Sequence, residues 1–222
     1  MKPTRTSYSA LTTFENCPAE YAFSYLSTGK RIDNSSPASR RGTRLHLACE
    51  DFLNGKLPFA QLPVELYPIR DFLSIYKQLE AKAEEVWLVD RDWNMQCPHE
   101  EDENTLIKAV VDIHYVLDKS LYVIDLKSGK EYPEHKDQLQ LYAVMGLLRY
   151  PDVSQVVTSA LYLCGVGEVT TYTRDQLEGL KMFWNARALL QINAKSYPAT
   201  PSASACRWCA YAKSKSGPCE HG

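Results

Sequence analysis

The chain contains no run of about 18 apolar residues, so a membrane-spanning helix is not among its elements. Its opening segment, MKPTRTSYSALTTFENC, has no continuous apolar stretch, and no secretory signal is expected. Charge of one sign is also scarce. Twenty-five Lys and Arg stand against 27 Asp and Glu, a formal net charge of −2. A sequence-independent nucleic-acid coat is normally clearly basic, which disfavours that class. The balance does not disfavour every phosphate-binding protein, because metal-binding carboxylates offset phosphate-binding cations. Arg40, Arg41 and Arg44 form one local basic stretch. No internal repeat is visible. The seven cysteines are an odd number without an export signal, which argues against a disulfide framework. Reduced thiols in the cytoplasm, some of them metal ligands, are expected instead. Hydrophobic residues are 45% of the 222, enough to fill a core. The length suits a single domain, or one with a small appendage.

Residues 8–28 read as helical, broken at Cys17-Pro18, with Pro18 suited to the first turn of a second helix. Residues 30–38 read as an exposed loop. A helix over 38–54 carries Leu45, Ala48 and Phe52 on one face and ends at Gly55. Ile69, Phe72, Leu73, Tyr76 and Leu79 predict a third helix over 66–83. The period then changes. Residues 85–91, 106–117 and 121–127 read as strands, and the polar 94–104 as a connecting loop. A helix over 134–149 follows. A strand pair comes next at 155–163 and 168–173, turning at Gly165-Val166-Gly167, then a helix over 175–195 and an aperiodic tail. This order predicts an α/β or α+β fold with a mixed central sheet flanked by helices.

The stretch from Val110-Val111-Asp112-Ile113 to Val123-Ile124-Asp125-Leu126-Lys127 is the most informative. A turn centred between Asp118 and Lys119 pairs residues whose numbers sum to 237, which sets Asp112 opposite Asp125. Directly opposed side chains have Cβ atoms roughly 4.5–5.5 Å apart, and like charges there are destabilising. A divalent cation removes the repulsion. Lys127, two residues after Asp125, points to the same face. Two carboxylates can hold Mg²⁺ or Mn²⁺ through oxygen. Such an ion acidifies water and neutralises charge on a phosphate, and Lys127 can stabilise the same developing charge. A lone Asp-x-Lys is common on solvated faces. Its setting in apolar strands opposite Asp112 is what gives it weight.

With these motifs the chain resembles the PD-(D/E)XK nuclease superfamily, in its RecB-like and Cas4-like branch. Gly42-Thr43-Arg44-Leu45-His46 is similar to the branch's GxxxH, Asp112 to its first aspartate, Asp125-Leu126-Lys127 to its DxK, and Gln138-Leu139-Gln140-Leu141-Tyr142 to its QxxxY. The resemblance implies a restriction-endonuclease-like core. It implies His46, Asp112 and Asp125 as metal ligands, and a catalytic set of Asp112, Asp125 and Lys127 with Gln138 and Tyr142. The last two share a helix face four residues apart, which the resemblance turns toward the site and DNA. An acidic residue before the first strand belongs to the same pattern, and Glu84 and Glu85 are both candidates.

The implied activity is a Mg²⁺- or Mn²⁺-dependent DNA exonuclease on single-stranded ends. Recombination, repair, phage DNA metabolism or CRISPR adaptation are its settings, and their proteins its possible partners. A structure-specific endonuclease, a DNA-binding subunit with a silent site, and an RNA substrate are the alternatives. No GxxxxGK[ST] segment is present, so unwinding by the chain itself is not expected.

Cys206-Arg-Trp-Cys209 with Cys219 is a second constellation, since two thiolates three residues apart can grip one metal or cluster. The resemblance supplies Cys17 as a fourth ligand and implies a [4Fe–4S] cluster joining segments 8–28 and 197–222 around a nuclease core of about 38–195. The gap from Cys209 to Cys219 is longer than in the branch. Structural Zn²⁺ on Cys206, Cys209, Cys219 and either His221 or Cys17 is the alternative, as is a tail of unused thiols. Cys49, Cys97 and Cys164 are left as ordinary thiols, and Cys97-Pro-His99 has no identifiable partner.

Overall fold

The computed structural model describes residues 4–27, 32, 35–99 and 101–222. Residues 30, 31, 33 and 34 of the loop expected over 30–38 lie outside them, and its last two residues, Pro37 and Ala38, are already helical. The N-terminal segment is helical in two pieces, α1 (Tyr8–Asn16) and α2 (Pro18–Tyr21), the latter continuing as a π turn over Ala22–Leu26. Pro18 opens α2, where a missing N–H costs nothing, and Cys17 is the residue between the two helices. Helix α3 (Pro37–Leu53) starts on a Ser36 side-chain cap and buries Leu45, Cys49, Phe52 and Leu53.

The third predicted helix is shorter than expected. A 3₁₀ stretch, Val64–Ile69, precedes α4 (Arg70–Gln78). The helix stops because Glu80 adopts φ 53°, with the Ala81 N–H donating to Tyr76 O at 2.9 Å and the Glu80 N–H to Lys77 O at 3.1 Å. This is the left-handed cap that usually falls to glycine. Strand β1 (Lys82–Asp90) therefore begins three residues earlier than predicted.

Among the described residues the strands form one mixed six-stranded sheet in the order β2-β1-β3-β4-β5-β6. β2 is Met95–Gln96, inside the segment expected to be loop; β3 is Thr105–Leu117 and β4 Ser120–Lys127. β5 is Gln155–Tyr162 and β6 Gly165–Thr173. The β5–β6 turn is Leu163-Cys164, not Gly165–Gly167, since Tyr162 pairs with Gly165. Among these six strands only β4 and β5 run parallel, and the connection between them is helix α5 (Glu134–Arg149). Helix α6 (Leu177–Ile192) and short helix α7 (Ala203–Trp208) follow β6.

Strand alternation sorts β4 between two apolar clusters. Leu121 and Val123 pack with α5 and Trp184 of α6, while Ile124 and Leu126 pack with α3 and the α4 residues Leu73 and Tyr76. Helix α5 lies very close to the sheet at Gly146, where a Cβ would stand 2.6 Å from Leu121 Cδ2 and 3.4 Å from Val156 Cγ2. Gly146→Val is therefore expected to destabilise the fold by about 1–3 kcal/mol through overpacking. The check is a lowered urea midpoint at unchanged m-value.

Candidate active site

The β3–β4 hairpin has the register that the turn predicts. Ile113 pairs with Ile124 and Leu117 with Ser120, and Asp118 takes the left-handed conformation at the turn. That register sets Asp112 opposite Asp125. The Leu126 N–H donates to Asp112 Oδ2 at 2.8 Å, closing the end of the ladder with a side chain. On the other side of β3, Ala83 pairs with Ile113 and Glu85 with Val111, which places Glu84 opposite Asp112. Glu84, Asp112 and Asp125 thus form one row of carboxylates across three neighbouring strands.

The two acidic candidates before β3 have different fates. Glu85 accepts from Trp87 Nε1 at 2.7 Å and from Arg149 at 2.7 Å, and lies 3.1 Å from His114 Nε2. Burial works to raise its pKa, but the His114 and Trp87 hydrogen bonds and Arg149 hold it down at about 2. Its oxygens are committed to a structural cluster. Glu84, at φ 52°, faces His46 instead.

His46 comes from α3, which approaches the end of β4 closely. A Cβ on Gly42 would stand 3.1 Å from Ser128 Oγ. His46 Nδ1 lies 3.3 Å from Glu84 Oε1 and 3.4 Å from Asp112 Oδ1. Burial lowers the pKa of this imidazole, yet hydrogen bonds and charge from Asp112 and Glu84 raise it to about 10. Ligand atoms of His46, Glu84 and Asp112 lie within 4.8 Å of one another, and Asp125 falls outside that group.

Asp125 is 1% exposed. Burial first, and then Asp112, raise its pKa to about 7 against the pull of Lys127. Lys127 Nζ is 2.6 Å from Asp125 Oδ2, a close ion pair that offsets only part of the cost of burial. Two carboxylates converging with an imidazole that can ligate in its neutral form, and a third, buried carboxylate beside them, fit a divalent cation.

Lys127 is held by a relay from α5. Its Nζ donates to Gln138 Oε1 at 2.9 Å, Gln138 Nε2 donates to the Tyr142 hydroxyl at 2.6 Å, and that hydroxyl donates to Val110 O at 2.9 Å. Tyr142 is buried, and burial raises its phenol pKa further, so it acts as a neutral donor. Gln138 and Tyr142 share a helix face as expected, and that face grips the lysine.

The cysteines form a separate assembly. Cys17, Cys206, Cys209 and Cys219 line one cavity with His221. The long Cys209–Cys219 gap loops out and returns. The Gly217 N–H donates to Ala212 O at 3.0 Å and the Cys219 N–H to Tyr211 O at 2.9 Å. Gly217 permits this, since a Cβ there would come within 2.3 Å of the Tyr211 backbone. Burial raises the Cys17 pKa, but hydrogen bonds from Thr200 and from the Glu20 and Ala19 backbone lower it overall. Among the described residues, no three of these sulfurs lie within 4.8 Å of one another. A tetrahedral zinc site with Zn–S bonds of about 2.3 Å needs sulfurs roughly 3.8 Å apart. Cys49 is buried, and Cys97 and Cys164 are exposed.

A model of the PD-(D/E)XK nuclease superfamily matches residues 5–214. Two solved structures share the fold. The protein SSO0001 aligns with a TM-score of 0.50 at 16% identity, covering 95% of this chain and 85% of its own. A candidate exonuclease from Eubacterium rectale aligns with a TM-score of 0.53 at 11% identity, covering 91% of this chain and 87% of its own. No curated protein matches the chain.

Proposed function

The chain belongs to the PD-(D/E)XK nuclease superfamily, and from that premise we propose that it is a metal-dependent exonuclease hydrolysing DNA from single-stranded ends. The observation that carries the reading is the row Glu84–Asp112–Asp125 with His46 at one end and Lys127 at the other. In this reading His46, Glu84, Asp112 and Asp125 hold one or more Mg²⁺ or Mn²⁺ ions. A bound cation of this kind lowers the pKa of water and neutralises charge on the phosphate.

The chain's own groups do the rest. Asp112 is fixed by the Leu126 N–H, so its free oxygen keeps its position beside Glu84 and His46. Lys127 is kept at one place by Asp125 and Gln138, and its ammonium donates to a phosphate oxygen or to the attacking water. Gln138 and Tyr142 are positioning residues that act through Lys127. The sequence has no P-loop, so unwinding of a duplex by the chain itself is not part of this reading.

The cysteine assembly belongs to the same proposal. Cys17, Cys206, Cys209 and Cys219 hold a [4Fe–4S] cluster, a reading supported by the one cavity that all four line. Its role is structural, since four thiolates leave no open position.

The test compares end-labelled linear and closed circular single-stranded DNA with Mn²⁺, Mg²⁺ or EDTA. Loss of linear DNA alone, dependent on the cation, is the expected result. Cleavage of the circle identifies an endonuclease. No cleavage by folded, metal-loaded protein identifies a binding subunit with a silent site.

A further inference from the structure

The loop leaving β4 carries an aromatic assembly that hydrolysis does not require. Tyr132 is 54% exposed, although its surroundings fix it. The His135 ring stands edge-on to it, with centroids 5.7 Å apart and an interplanar angle of 90°. The Tyr132 backbone N–H donates to His135 Nδ1 at 3.4 Å, and the Tyr162 hydroxyl is hydrogen-bonded to the same nitrogen at 2.8 Å. The buried Tyr162 ring is itself seated over Gly167, where a Cβ would come within 2.8 Å of it. Burial, and then the charge of Lys127, lower the His135 pKa from its ordinary value.

This assembly adjoins the proposed catalytic lysine. Tyr162 pairs with Lys127 in the β4–β5 ladder. His135 is three residues before Gln138, on the same side of α5, and Gln138 accepts from Lys127. A half-exposed aromatic ring gains little from burial. Here a histidine holds it, and that histidine is itself tied to Tyr162 and near enough to Lys127 to feel its charge.

We propose that Tyr132 is a base-stacking platform: a nucleobase of single-stranded DNA lies on its ring while the adjoining phosphate reaches Lys127. The inference rests on the nuclease reading and narrows its substrate. Every base has a face that an aromatic ring can stack on, so the contact tolerates any sequence. In a duplex those faces are already stacked, so the platform favours single strands.

Binding of an oligothymidylate and of a duplex is measured with EDTA present, so that no strand is consumed. A second oligothymidylate carries terminal 2-aminopurine as a stacking reporter. Tyr132→Ala is expected to weaken single-strand binding roughly 5- to 100-fold, the range of one base–aromatic stack. It leaves duplex binding unchanged and abolishes the quenching of 2-aminopurine that wild-type protein causes. Tyr132→Phe, which keeps the ring, behaves as wild type. Unchanged single-strand affinity in Tyr132→Ala, or an equal loss for duplex, overturns the platform and leaves the nuclease reading standing. Wild-type protein that neither binds nor cuts DNA overturns both.

Discussion

Asp125→Asn is expected to lower cleavage by on the order of 10³-fold, the scale of losing one group that stabilises charge in the transition state. The same protein, melted in EDTA, is expected to be at least as stable as wild type. The two effects have one cause. Asp125 is buried, opposite Asp112, with Lys127 Nζ 2.6 Å from its Oδ2. Burial and Asp112 together push its carboxyl up to about 7. Keeping a charge there costs stability in the absence of a cation, and the amide removes that charge while preserving the shape. A variant that lost activity by unfolding would show the opposite melting shift. Full activity in a clean preparation of Asp125→Asn would remove this row from the mechanism. Gly146→Val supplies the contrast, because it loads the core without touching the carboxylates.

The part of this site that rests on local rules was legible in the sequence. A two-residue turn fixes a hairpin's register, so Asp112 and Asp125 could be paired by counting outward from Asp118 and Lys119. Gln138 and Tyr142 could be placed on one face because helical spacing requires it. Glu84 could not be separated from Glu85, since that choice depends on the register of β1 against β3, which are not joined by a tight turn. The predicted helix also ran through residue 83, because a non-glycine cap at Glu80 leaves no signal in composition. His135 and Tyr162 were missed for a related reason. They come from α5 and β5 and meet only through the tertiary packing of Tyr162 over Gly167. The role of Tyr142 was legible as a position but not as a contact. The Val110 carbonyl that fixes it belongs to a strand 32 residues away.

Cys206→Ser is expected to remove the broad visible absorbance and the bound iron and sulfide of an iron–sulfur protein, and to lower the melting temperature by on the order of 10 °C. The size follows from a loss of a few kcal/mol in a domain of this length, at about 2–4 °C per kcal/mol. On the proposed cluster reading, the physical reason is the junction that the four cysteines would make. Cys17 lies between α1 and α2, while the other three lie in the tail, nearly 200 residues away in sequence. Other contacts also cross this junction, among them Tyr197 against Phe14 and Tyr21. Thr200 donates to Asn16 O, the Ala19 N–H donates to Pro198 O at 3.3 Å, and the rings of Phe23 and Tyr211 stack at 5.3 Å. Four thiolates on one metal centre add a cross-link of a different strength, and metal affinity there is folding free energy. Cys97→Ser and Cys164→Ser, both at exposed positions outside the cavity, are expected to change neither the absorbance nor the melting temperature. Colourless protein with stoichiometric zinc would replace the cluster with a zinc site and keep the cross-link. No metal at all, with an unchanged melting temperature in Cys206→Ser, would reject both. Activity is expected to follow stability and not chemistry in this variant. At a temperature where Cys206→Ser remains folded, the carboxylate row is intact and the rate per folded molecule stays near wild type.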